Sequence, residues 1–90
     1  MTYMRDSEVM RLEIDAQLKQ WLPTLTLDVN GRAHSAELHA HYVVWARGAD
    51  QWACSIVALS KAIVRAGYPK VRVKGRLAFA GLSVPDPRAL

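Results

Sequence analysis

From residue 70 to residue 77 the chain reads Lys-Val-Arg-Val-Lys-Gly-Arg-Leu, with a cation at every second position. A β-strand sends successive side chains to opposite faces. The spacing therefore predicts a strand in which Lys70, Arg72, Lys74 and Arg76 line one face, with Val71, Val73, Leu77 and Phe79 on the other. At about 3.3 Å per residue such a row extends roughly 20 Å, long enough to follow a phosphate backbone. The bland alternatives are a solvated face, or cations that guard an edge strand against aggregation. Gly75 interrupts the alternation, where a bulge is expected.

The charge of the whole chain points the same way. Of its 90 residues, those from Met1 to Trp45 include four Lys/Arg against six Asp/Glu, and those from Ala46 to Leu90 include eight against two. The net charge of +4 is thus concentrated in the second half, which favours a local cationic patch over a uniformly basic protein. A chain of this length makes one domain with little stability to spare. Cys54 is the only cysteine, so neither an internal disulfide nor a Cys-based zinc site is available, which suits a reducing compartment. No signal-like apolar core follows Met1, and no apolar stretch reaches membrane-spanning length, so a cytoplasmic protein with no membrane partner is expected.

Helical periodicity is clearest near the amino terminus. Met10, Ile14, Leu18 and Trp21 recur on a 3.6-residue period, with Asp6 or Ser7 as the cap. Arg11, Glu13, Asp15, Gln17, Lys19 and Gln20 take the wet side, with Asp15 and Lys19 one turn apart, and Pro23 stops the helix. Leu25, Leu27 and Val29 then alternate with Thr24, Thr26 and Asp28 up to Asn30-Gly31, a dipeptide suited to a type I′ hairpin turn. A return strand over Arg32 to Trp45 would pair Leu27 with His34 and Leu25 with Ala36. It would also put Leu38, Ala40, Tyr42 and Val44 on the apolar face. A second helix is expected from Asp50 as cap, burying Trp52, Ala53, Ile56, Val57, Ser60, Ile63 and Val64. Gly67 and Pro69 end it. Trp21 and Trp52 are both expected in the core.

The resulting order is α-β-β-α-β, an α+β two-layer sandwich: a three-stranded sheet with two helices on one face. Residues 1–80 form the domain and 81–90 an extended tail. The order is similar to a ferredoxin-type split βαβ whose first strand is missing or reduced to Met1–Met4. The likeness is topological, and such a fold hosts many functions.

In this arrangement the open sheet face carries the cationic row together with Thr24, Thr26, Glu37, His39, His41, Val43 and Trp45. Cations interleaved with an aromatic and two imidazoles are similar in kind to RNA-binding sheets, where bases stack between phosphate-binding residues. Lys74-Gly75 is followed by Arg, Leu and Ala rather than the alternate aromatics of an RNP1 motif, and no GXXG loop is present. Pairing of Arg72 and Arg76 with Glu37 or Asp28 across the sheet is the structural alternative. Glu37, His39 and His41, two apart on a strand, share a face where they could meet one metal ion, though the neighbouring cations oppose it. No nucleophile, base or phosphate-cradling loop is evident: Cys54 falls within a helix rather than at its first turn, and Ser55 and Ser60 have no evident base.

The reading that follows is a small non-catalytic protein that contacts nucleic acid or a nucleoprotein through Lys70, Arg72, Lys74, Arg76, Trp45, His39 and His41, with no cofactor. One alternative is a regulatory or inhibitory protein-interaction module, of mobile-element origin, that acts through a strand edge or a homodimer. The other is a metal-binding protein built on Glu37, His39 and His41.

Overall fold

The computed structural model describes residues 6–84, with side chains given for 9–27 and 31–84. Their order is α1 (Asp6–Trp21), a 3-10 turn (Leu22–Thr24), β1 (Thr26–His34), α2 (Ser35–Gly48), α3 (Ile56–Arg65), β2 (Lys70–Val73) and β3 (Arg76–Ser83). The α+β class and the three-stranded sheet are as expected. The element order is not, because the second half of the expected hairpin is a helix.

Ile14, Leu18 and Trp21 of α1 are buried as their spacing requires, and the helix ends where Pro23 opens the 3-10 turn. The Thr24 hydroxyl donates to the Trp21 carbonyl at 2.6 Å, satisfying one acceptor at the helix end. Met10, expected in the stripe, is about half exposed at the rim, and Gln17, expected in water, is only 5% exposed. Position 17 lies three residues after Ile14 and four before Trp21, inside the buried sector. Asp15 pairs with Arg65 of α3 at 2.8 Å rather than with Lys19. The proposed caps Asp6 and Ser7 lie outside the residues whose side chains are described.

β1 does not turn back at Asn30-Gly31. It continues to His34 and pairs antiparallel with β3: Leu27 faces Leu82, Arg32 faces Ala80, Ala33 faces Phe79 and His34 faces Ala78. Between Leu27 and Arg32 the register shifts, with residues 28–31 of β1 set against Gly81 alone, so the ladder is interrupted there. Gly81 has φ +90° there, a backbone conformation that favours glycine.

The chain then enters α2. Leu38, Tyr42 and Ala46 are fully buried at four-residue spacing. Four is even, so the same residues also satisfy strand alternation, which is why the segment reads as a strand. The helix formers Ala36, Glu37, Leu38 and Ala40, and burial of this stripe against α1 and α3, decide otherwise. At its end Asp50 takes φ +56° and the Gln51 N–H returns to the Ala46 carbonyl at 2.8 Å. Asp50 thus closes α2 in a Schellman motif instead of opening the next helix.

Residues 51–55 belong to no helix or strand, and α3 starts later than expected. Its cap is Ser55, whose hydroxyl accepts from the Ala58 N–H at 3.2 Å. The buried stripe of α3 is Leu59, Ser60, Ala62 and Ile63; Ser60 and Ile63 are buried as expected, whereas Trp52, Ala53, Ile56, Val57 and Val64 are exposed. Trp52 is 44% exposed and so is not a core residue. Gly67, at φ +104°, ends α3 as expected, with the Tyr68 N–H reaching the Ile63 carbonyl.

β2 and β3 form the hairpin of this protein. Lys74 and Gly75 have φ +53° and +77°, and Val73 faces Arg76 across them, so the two-residue type I′ turn sits here. Gly75 is a turn residue rather than a bulge. The sheet order is β1-β3-β2; both outer strands are antiparallel to β3 and therefore parallel to each other. The helical connection between two parallel strands retains a βαβ element, but the split βαβ likeness fails in order, since two helices follow β1 and two strands close the chain. Leu82 is fully buried, so residues 81–83 belong to the sheet rather than to a tail. Pro85 and Pro87 lie outside the described residues.

All three helices share one core with Ala33, Phe79 and Leu82 of the sheet. Arg32, His34, Val71, Val73 and Arg76 lie on the other face, outside that cluster, together with Ala78, which is itself fully buried. The layering is therefore a sheet with three helices on one face, where two were expected.

Candidate polyanion-binding hairpin

The seven side chains expected to share a sheet face fall into two separate groups. Trp45, His39 and His41 stand on α2, turned toward the other helices. The Trp45 ring stacks on Tyr42 with centroids 6.2 Å apart and packs, half-buried, against the core. Nε2 of His39 lies 2.9 Å from the Cys54 carbonyl, so His39 is the donor. Nδ1 of His41 accepts from the Trp21 indole N–H at 3.0 Å. These bonds belong to a polar lock that ties the 51–55 segment to α1 and α2. The Tyr42 hydroxyl donates to Gln17 Oε1 at 2.6 Å and accepts from the Cys54 N–H at 2.9 Å, while Gln17 Nε2 donates to the Trp52 carbonyl at 2.8 Å.

Burial shapes the acid–base behaviour of the lock. Desolvation lowers the pKa of His41, and it pushes the Tyr42 phenol and the Cys54 thiol upward. All three favour the neutral form. Such groups hold a fold together and offer no activated nucleophile.

Convergence of Glu37, His39 and His41 on a metal is also overturned. On a helix, residues two apart point in nearly opposite directions, and both imidazoles already hydrogen-bond elsewhere. Among the described residues no three His, Cys, Asp or Glu side chains are grouped to hold an ion. None of the described helices is long and apolar enough to cross a membrane.

The four cations remain together, but on a hairpin instead of one strand. Cross-strand partners share a face, so Arg72 lies with its partner Leu77, and Lys70 with Phe79, on the helix side. Arg76 faces Val73 and lies on the open side, and Lys74 is in the turn. The single row is therefore corrected to a hairpin with cations on both faces and at its tip. The cause is the turn: reversing the chain between Val73 and Arg76 exchanges the faces that strict alternation would assign. All four are exposed, and the Arg72 guanidinium donates to the Gly75 carbonyl at 3.2 Å, closing over the turn.

Among the described residues the only ion pair is Asp15–Arg65, so none of the hairpin cations has a carboxylate partner. The expected pairing with Glu37 does not occur, and the Asp28 side chain lies outside those described. Sequence reasoning missed two nearby cations. Arg32 is exposed on the open face, and Lys61 of α3 borders the same cleft as Lys70. Neither carries a local signal, because β1–β3 register and helix docking bring them there.

No family model matches the chain, and neither the curated proteins nor the solved structures yield a match.

Proposed function

We propose that this protein is a non-catalytic binding protein that holds nucleic acid, free or within a nucleoprotein, through the β2–β3 hairpin. One observation carries the reading: Lys70, Arg72, Lys74 and Arg76 are exposed on the β2–β3 hairpin and make no ion pair among the described residues. Cations held without carboxylate partners are available to displace counterions from phosphates. Trp45, His39 and His41 drop out of the contact surface, because their hydrogen bonds and packing serve the fold.

The test is fluorescence anisotropy with short DNA and RNA, single- and double-stranded, at 50 and 200 mM salt. Four phosphate contacts to a single strand predict roughly 50-fold weaker binding at the higher salt. Replacing the four cations by Ala should abolish binding across sequences alike. No binding at the lower salt would reject the reading.

A second reading rests on the position of β2 as a sheet edge. Its outer backbone groups are open to strand addition by a protein partner or a second copy. In that case a proline within β2 would abolish association, while the four-alanine variant would retain it.

A further inference from the structure

The hairpin borders a cleft with which it shares one cation, Lys70. Between α3 and β2 lies a cavity of about 230 Å³, with Ile56, Val57 and Leu77 as apolar walls and Lys61 and Lys70 among its lining. It is smaller than the 300–1,000 Å³ typical of drug-sized ligand pockets, a size suited to one flat ring system. Lys70 belongs to both the cleft and the cationic hairpin, so a chain of phosphates on the hairpin passes its mouth.

Two polar features face the same space. Ser60 is only 8% exposed and lines the cleft. A hydroxyl both donates and accepts, so Ser60 can bond the polar edge of a bound group. Ser35, the first residue of α2, also lines the cleft, and the preceding cap residue His34 supplies no side-chain bond to the free N–H groups there.

We infer that this cleft takes one unstacked base of a single-stranded nucleic acid whose phosphates lie on Lys70 and Arg72. The inference rests on the proposed function and adds a preference for single strands. The ring would lie against Ile56, Val57 and Leu77, with its polar edge toward Ser60 and Ser35 and the adjoining phosphate between Lys61 and Lys70. A paired base cannot enter, since its edge is engaged and its faces are stacked.

The experiment uses the full chain with single-stranded oligonucleotides carrying 2-aminopurine at successive positions, and a duplex of the same length as control. Val57→Ser removes an apolar wall without charge change, and Val57 is 61% exposed, so folding tolerates it. The wild type should raise 2-aminopurine emission at one position per bound strand. Val57→Ser should lose that signal and weaken single-strand binding about fivefold, leaving duplex binding within twofold. Uniform emission along the strand, or equal effects on single strand and duplex, would overturn the cleft and leave the hairpin standing. Absence of binding to either nucleic acid at low salt would instead reject the hairpin reading, and the cleft assignment with it.

Discussion

Trp21 and His41 are joined by a 3.0 Å hydrogen bond in which the indole N–H donates to imidazole Nδ1. An indole can only donate, so the bond requires Nδ1 of His41 to be unprotonated. Burial acts in the same direction, lowering the pKa of His41 below its ordinary value of 6.5. The folded state therefore binds fewer protons than the unfolded chain below that value. Stability from this residue is fully present above about pH 6.5 and is lost as pH falls toward the lowered folded value. Urea midpoints measured between pH 7.5 and 5 should decline with pH in the wild type. The decline should be smaller in His41→Gln, which keeps an acceptor but does not titrate. Parallel profiles would show that another group governs the acid limb.

Tyr42 and Gln17 anchor the polar lock from two helices. Tyr42→Phe leaves Gln17 Oε1 and the Cys54 N–H without their buried partner. The cost should be about 1–3 kcal/mol in urea denaturation. Gln17→Leu removes the other partner and frees the Trp52 carbonyl. Because both changes break one network, the double variant should lose less than the sum of the two. Strict additivity would mean that the two side chains act independently.

Lys74 is both a turn residue at φ +53° and a member of the cationic hairpin. Lys74→Asn keeps a residue that accepts positive φ while removing one charge. It should fold at least as stably as the wild type, yet reduce the salt slope of single-strand binding by about 0.7. Gly75→Val does the reverse: at φ +77° a branched side chain should cost about 1–2 kcal/mol with all four cations retained. Thermal melts and salt-dependent anisotropy on both variants separate the roles. An unchanged salt slope in Lys74→Asn would remove Lys74 from the contact surface.

The sequence by itself determined the features governed by neighbours within a turn or two. The α1 span up to Pro23, burial of Ile14, Leu18 and Trp21, termination of α3 at Gly67 and the strand character of residues 70–73 all follow from local chemistry. Concentration of positive charge in the second half was equally legible, since it needs no fold. Tertiary structure decided what local pattern left balanced. Leu38, Tyr42 and Ala46 satisfy strand and helix alike, and only burial against α1 and α3 selects the helix. With that segment helical, Asn30-Gly31 has no partner to turn toward, and β1 runs on to pair with β3. The same choice moved His39, His41 and Trp45 from a presumed binding face into the packing of the helices. Whether four cations form a row or surround a hairpin depended on two residues, Lys74 and Gly75, because a reversal there exchanges the face of every side chain that follows.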